Sequence, residues 1–131
     1  PGTVKPKMSD ALASSLDLAP TLLNAVGLKP TNEMPGINLL DEKAVASRRV
    51  LYGECFTHNF VDLNVPSSSL KWRWIIEGHT KLILPNIANQ PKDVEELYDL
   101  KADPKEEKNL AKQMPDRLLD LATKLDAWWT P

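Results

Sequence analysis

The sequence has few of the residues that form disulfides, clustered metal sites or membrane spans. Cys55 is the only cysteine among 131 residues, which excludes an internal disulfide and a site of several thiolates. The only two histidines, His58 and His79, are too few for a histidine-rich metal site. The longest apolar runs are far shorter than the ~20 residues that a membrane-spanning helix needs. The formal net charge of −2 gives no overall attraction to nucleic acid or to an anionic membrane.

The first third of the chain has the pattern of a short strand followed by a helix. Small and apolar residues over positions 10–18 predict the strand, and Asp17 is a suitable helix N-cap. The helix is expected to end at Gly27, where a left-handed residue is favoured. Residues 29–41 contain two prolines and a glycine and therefore predict a connecting loop. We expect a domain boundary within residues 36–46.

The rest of the chain predicts an antiparallel sheet and one amphipathic helix. The predicted strands span residues 49–56, 70–76, 81–84 and 96–99. Their short or moderate connections favour an antiparallel meander. Apolar residues at spacings of three and four predict a helix from Pro115 to Trp129. We expect this helix to cover the sheet face that carries Trp72 and Trp74.

Four segments of the sequence form a recognisable series. They are residues 14–23 (S-S-L-D-L-A-P-T-L-L), 35–40 (P-G-I-N-L-L), 73–83 (R-W-I-I-E-G-H-T-K-L-I) and 96–111 (E-L-Y-D-L-x-x-D-P-x-E-x-x-N-L-A). Together with Pro1-Gly2, they resemble in the same order the C-terminal part of type I sulfatases. These enzymes are the sulfate-ester hydrolases of the alkaline-phosphatase superfamily.

The resemblance implies a parent enzyme that depends on calcium and on a formylglycine nucleophile. That nucleophile is made from Cys or Ser in a C-x-P-S-R or S-x-P-S-R motif, and neither motif occurs here. Cys55 is followed by Phe-Thr-His, and the Asp-Asp and Asp-Asn pairs of the family's metal site are absent. The resemblance therefore implies a sulfuric ester hydrolase acting on a sulfated sugar or aryl sulfate. This chain would hold none of its catalytic residues or metal ligands, and we expect the isolated chain to be inactive.

The same resemblance defines the expected architecture. The predicted fold class is α+β: a four-stranded antiparallel sheet packed by a C-terminal helix, preceded by a βα remnant of a larger α/β catalytic domain. Residues 1–40 would be that remnant, and residues 41–131 the C-terminal subdomain. The remainder of the catalytic domain would be the main partner. The family implies a periplasmic, extracellular or lysosomal location.

Three residues are candidates for substrate binding in the parent enzyme. His58 lies where a predicted strand enters a long loop, and loops on rigid scaffolds commonly carry binding groups. Arg73 and Lys81 lie on adjacent predicted strands and could form a small cationic face for an anionic substrate. The alternatives for this pair are a solvated sheet face or salt bridges to Glu54 and Glu96.

Other chemically versatile residues have structural interpretations. Cys55 is expected to be a small buried strand residue, with a Cys55/His58 nucleophilic pair as the weaker alternative. His79 is expected to be exposed in a hairpin turn. The tryptophans are expected to pack in the core rather than stack on sugars, and Trp129 is the most suitable one for partial exposure.

Two further hypotheses concern the whole protein. A phosphonate or phosphate-ester hydrolase of the same superfamily is the second enzyme class compatible with these segments. A non-catalytic binding or assembly module is the third class.

The isolated chain is expected to expose an apolar surface and to dimerise through it. That surface is formed by Leu18, Leu22, Leu23 and Val26.

Overall fold

The computed structural model describes residues 8–131, which divide into two compact units. The first unit ends at Arg49, and the second is Val50–Pro131. This division lies a few residues beyond the predicted boundary. The assignment of residues 1–40 and 41–131 to two domains of a larger enzyme stays a prediction.

The described part of the first unit contains a 3₁₀ turn and two helices: Ser15–Asp17, α1 (Leu18–Ala25) and α2 (Glu42–Ser47). Helix α1 confirms the predicted helix, which the chain leaves through Gly27 at a φ of 78°. The strand predicted over residues 10–18 is wrong, because that segment contains no strand. Instead, the Ser14 hydroxyl accepts a hydrogen bond from the Leu16 N–H, and the Asp17 carboxylate accepts one from the Ser14 N–H. This capping box begins a helical turn.

Helix α2 was not predicted. Its N-cap is Asp41, whose carboxylate accepts hydrogen bonds from the N–H groups of Lys43 and Ala44 at 2.9 and 3.1 Å. An aspartate followed by E-K-A-V-A is a standard helix start, so the signal was present in the sequence.

The second unit is built on a four-stranded sheet. Its strands are β1 (Val50–Phe56), β2 (Leu70–Glu77), β3 (Thr80–Pro85) and β4 (Glu96–Asp99). They pair in the order β1-β2-β3-β4, and every neighbouring pair is antiparallel. The predicted meander is therefore confirmed.

Helix α3 (Pro115–Trp128) packs on this sheet and confirms the predicted C-terminal helix. Proline occupies its first turn, where a missing N–H is tolerated. Leu121 and Leu125 are completely buried, and Leu118 and Ala122 pack beside them. Together the sheet and this helix confirm the α+β fold class.

The helix covers the opposite sheet face from the one predicted. Ile75, Leu82 and Leu97 lie directly opposite one another on β2, β3 and β4, and they form the completely buried core with α3. Side chains alternate between faces along a strand, so Trp72 and Trp74 lie on the other face. Periodicity identified both faces correctly. Periodicity did not show which of the two faces the helix covers. The large size of Trp72 and Trp74 suggested their face, and this prediction was wrong.

The most specific sequence motif has a structural explanation. The Asn109 side chain accepts a hydrogen bond from the Leu97 N–H at 3.1 Å and donates one to the Glu95 carbonyl at 3.0 Å. The Asp103 carboxylate accepts a hydrogen bond from the Lys108 N–H at 2.8 Å. The Asn109 side chain fastens the segment after β4 to that strand, and the Asp103 carboxylate closes a turn within the segment, so the motif marks a fold and not a catalytic centre.

Candidate functional site

A groove of about 520 Å³ lies on the sheet face that α3 leaves uncovered. Strands β1, β2 and β3 and the segment leading into β4 form its walls. Its lining combines indole rings, aliphatic side chains and charges of both signs. The lining residues are Cys55, Trp72, Trp74, Lys81, Ile83, Lys92, Asp93, Val94 and Glu96.

The two tryptophans are held in position by their neighbours. Trp74 lies opposite Gly53, where a Cβ atom would be only 2.2 Å from the indole ring. Glycine therefore provides the space that the ring occupies. The Trp72 indole N–H donates a hydrogen bond to the Asp93 carboxylate at 2.8 Å. The Lys71 ammonium lies over the Trp72 ring, 5.2 Å from its centroid, in a cation–π contact.

Besides Asp93, two of the charged groups in the groove have partners in the second unit. The Lys81 ammonium donates to both carboxylate oxygens of Glu106 at 2.8 Å. The Tyr98 hydroxyl donates to the Glu96 carboxylate at 2.8 Å. Burial, with the nearby Glu96, raises the pKa of Tyr98 to about 12, so this phenol remains a donor at neutral pH.

The structure separates the three predicted substrate-binding residues. Lys81 lines the groove, whereas Arg73 lies on the face covered by α3. There the Arg73 guanidinium donates to the Asp126 carboxylate at 2.8 Å and to the Trp129 carbonyl oxygen. A single cationic face formed by both residues was therefore a wrong prediction. The strand register places Arg73 and Lys81 on opposite sides of the sheet. Their salt-bridge partners are Asp126 and Glu106, not the predicted Glu54 and Glu96.

His58 lies in the exposed loop that follows β1. The base of this loop is fixed by the buried Ser69, whose hydroxyl accepts a hydrogen bond from the Val61 N–H at 2.8 Å. The loop also exposes large apolar side chains, among them Phe60 and Leu63. The sequence predicted the loop but not its anchor. Ser69 is eight residues from Val61, and a single serine at that distance has no periodic pattern that would predict the contact.

Other predicted placements have mixed outcomes. His79 is exposed in the β2–β3 turn, as predicted. Cys55 is exposed and lines the groove, so its prediction as a buried residue was wrong. Trp129 is partly buried, whereas Trp128 is 42% exposed and stacks on Tyr52 with ring centroids 5.0 Å apart.

The first unit contains an ion pair between a completely buried carboxylate, Asp17, and a partly buried arginine, Arg48. Arg48 donates to both oxygens of the Asp17 carboxylate at 2.5 and 2.7 Å. The same carboxylate accepts hydrogen bonds from the backbone N–H groups of Ser14 and Ile37. The Arg48 hydrogen bonds, which outweigh the effect of burial, lower the pKa of Asp17 to about 2. Four donors occupy the two oxygens, so this carboxylate is a structural anchor rather than a free ligand.

The groups that the family resemblance implies do not fit the residues present. Cys55 lacks the proline and arginine of a formylglycine motif. Over residues 8–131, no group of three or more His, Cys, Asp or Glu side chains is arranged to hold a metal ion. Within the same residues, none of the helices combines the length and apolarity needed to cross a membrane.

Comparison with known proteins identifies the family of this chain. The meander sheet with one covering helix is the fold of a sulfatase C-terminal subdomain. The family model described as "N-sulphoglucosamine sulphohydrolase, C-terminal" matches residues 1–127, and the chain belongs to this family. It corresponds to the C-terminal portion of a sulfatase of the alkaline-phosphatase superfamily. The Pro1-Gly2 part of the motif series lies outside the residues that the structure describes. A search of the curated proteins found no match.

Several solved structures are similar to this chain. A 2-O GAG sulfatase is 27% identical with a TM-score of 0.70, covering 93% of this chain and 26% of that one. A sulfatase from work on glycosaminoglycan metabolism by Bacteroides thetaiotaomicron is 26% identical with a TM-score of 0.68, covering 92% and 27%. The phosphonate monoester hydrolase of Agrobacterium radiobacter is 21% identical with a TM-score of 0.55, covering 85% and 23%, and shares the fold alone. The chain spans about a quarter of the length of these structures.

Proposed function

We propose that the protein containing this chain hydrolyses sulfate esters of a sulfated sugar. The observation that carries the proposal is the family match over residues 1–127. A neighbouring structure that is a 2-O GAG sulfatase supports a sugar rather than an aryl sulfate as the natural substrate. The chain spans about a quarter of that structure, so most of the active enzyme would lie outside it.

In this proposal the chain supplies the C-terminal subdomain and the rest of the protein supplies the chemistry. Calcium and formylglycine would be held by the catalytic domain, since the residues of this chain fit neither group. The isolated chain would then be inactive. The parent enzyme would act in the periplasm, outside the cell or in lysosomes, as the family resemblance implies.

His58 is the first candidate for a substrate contact from this chain. It is exposed on a loop whose base is anchored, so its position is defined without being enclosed. Lys81 is the second candidate. Its ammonium already forms an ion pair with Glu106, which a substrate would have to break or share. Arg73 is third, since its guanidinium is engaged by Asp126 and by a backbone carbonyl on the helix side.

The apolar surface of α1 remains a proposed interface. Leu18, Leu22 and Val26 are exposed by 57 to 70%, while Leu23 is partly buried. The comparisons give no support for a dimer formed through this surface. Such a dimer therefore remains a prediction that sedimentation of the isolated chain would test.

The alternative is a phosphonate or phosphate-ester hydrolase. Its support is the shared fold with the phosphonate monoester hydrolase at 21% identity. A non-catalytic module is the remaining hypothesis. The discriminating feature is the sequence that precedes this chain in the intact protein, where a nucleophile followed by P-S-R favours a sulfatase.

Activity of the intact protein tests these alternatives. The full-length protein, expressed with formylglycine maturation and calcium, should release sulfate from a sulfated glucosamine and from a chromogenic aryl sulfate. The 131-residue chain should release none. Preferential cleavage of a phosphonate monoester would favour the alternative enzyme. Sulfate release by the chain alone would show that the chemistry lies in residues interpreted here as structural.

A further inference from the structure

Lys81 is the one residue of the groove on the uncovered sheet face that the proposed function already uses. We propose that the groove is a subsite for one sulfated sugar unit of an oligosaccharide substrate. This assignment rests on the proposed function, which supplies the general class of ligand. The groove itself supplies the particular contacts.

The shape and aromatic lining of the groove suit a sugar ring. Its volume of about 520 Å³ lies within the roughly 300–1,000 Å³ of small-ligand sites. Trp72 and Trp74 lie two residues apart on β2 and face the same side. Indole rings pack against the C–H faces of sugars. Both rings are already fixed, one by Asp93 and the other by the space above Gly53, so little conformational entropy is lost on binding.

The charges in the groove favour a polar ligand over a protein surface. Four of the nine lining residues are charged: Lys81, Lys92, Asp93 and Glu96. The cores of protein–protein interfaces are depleted in charged residues, and covering these groups with an apolar surface would remove their solvation without replacement. A sulfated sugar matches both signs, because its hydroxyls donate to carboxylates and its sulfate accepts from ammonium groups.

Lys92 is the residue assigned to the sulfate group. Lys81 is engaged by Glu106, whereas Lys92 has no hydrogen bond or ion pair to any residue in the part of the chain that the structure describes. It is exposed at the rim, next to the carboxylate that fixes Trp72. An unpaired ammonium beside a fixed indole can bind a sulfate without first breaking a salt bridge.

The first test is binding of a sulfated tetrasaccharide to the intact protein, with Lys92→Glu compared with Lys112→Glu. Lys112 is also exposed and does not line the groove, so it controls for a change in net charge. Replacing a charge-assisted contact by a repulsive one should weaken binding roughly tenfold or more. Lys112→Glu should bind as the wild type does. Equal affinity of all three proteins would overturn the assignment.

The second test uses Cys55, which lines the groove and is exposed, as a reporter. The tetrasaccharide should slow alkylation of Cys55 in the intact wild-type protein, measured by mass spectrometry of its peptide, and should not do so in Lys92→Glu at the same concentration. If Cys55 resists alkylation without ligand and reacts only after unfolding, the rest of the protein covers the groove and the assignment fails.

The two proposals fail in different ways. Absence of sulfate release by the wild-type protein, with Cys55 still protected by the tetrasaccharide, would overturn the proposed function and retain the groove. Sulfate release with no effect of Lys92→Glu on binding would overturn the groove and retain the function.

Discussion

The central contact of the first unit is an ion pair, whereas that of the second unit is an apolar cluster. Among the described residues of the first unit, only Asp17 and Pro20 are buried. The second unit buries five apolar residues in one cluster: Ile75, Leu82, Leu97, Leu121 and Leu125. A buried ion pair organises a segment that has little apolar core of its own, while a cluster of leucines and isoleucine stabilises a fold by removing apolar surface from water. The two units should therefore respond differently to mutation, pH and salt.

The largest effect is expected from Arg48→Ala. The Asp17 carboxylate would remain buried without its counter-charge, which costs about 3–5 kcal/mol when one partner of a buried pair is removed. Native-state hydrogen exchange should show loss of protection in α1 and at the Ile37 amide, with β2 and β3 unchanged. Arg49→Ala is the matched control, because that arginine is exposed. Equal protection in both variants would contradict the central role of the ion pair.

Leu125→Ala should affect the second unit in the converse way. Truncating a completely buried leucine costs about 3 kcal/mol through lost transfer energy and the cavity left behind. Chemical denaturation followed by tryptophan fluorescence measures the loss. Leu119→Ala, at a residue of the same helix that is 67% exposed, should be almost neutral. A similar loss in the two variants would show that α3 packs with another face.

Acid should weaken the first unit through Asp17. The Arg48 hydrogen bonds lower the pKa of Asp17 from 3.8 to about 2. The folded-state pKa lies below the unfolded one, so the stabilisation is complete above about pH 4 and disappears as the pH falls through about 2. The contribution is about 2 kcal/mol at neutral pH. Asp17→Asn should remove this pH dependence of hydrogen exchange in α1, and an unchanged acid profile would contradict the assignment.

The smallest effect is expected at the salt-bridge network on α3. Glu77 accepts hydrogen bonds from Lys124 at 2.9 Å and Arg117 at 2.8 Å, and both lower its pKa. The side chains of this network are only partly buried and remain in contact with solvent, so Glu77→Gln should cost about 0.5 kcal/mol, an amount that decreases with added salt. Denaturation at low and high salt, with Glu107→Gln as the control, measures the difference. A salt-independent loss would indicate packing rather than charge.

The sequence predicted the second unit far better than the first, for a physical reason. An element with one buried face repeats its apolar residues at a spacing of two in a strand and of three to four in a helix. Strand β2 and helix α3 follow these spacings. The face of β2 that meets the helix was mispredicted because Arg73 is long enough to reach Asp126 from a helix-covered position, which leaves the larger tryptophans on the other side. Periodicity shows which residues share a face without showing what covers it.

The central contact of the first unit could not be predicted from pattern. Asp17 and Arg48 are 31 residues apart, and neither belongs to a repeating series. Asp17 was predicted as an N-cap, a position that it occupies for α1. Its side chain, however, makes no N-cap hydrogen bond in α1 and bonds instead to Arg48, Ser14 and Ile37. Likewise, Lys81 was identified as a candidate by residue type, while the groove around it depends on Asp93 and Gly53, which sequence reasoning did not single out.

Sulfate release by the intact protein is the decisive measurement. The full-length protein should release sulfate from a sulfated glucosamine, while the 131-residue chain, shown to be folded by circular dichroism, should release none. A full-length protein that carries the P-S-R nucleophile motif, is correctly matured and cleaves a phosphonate monoester but no sulfate ester would contradict this prediction.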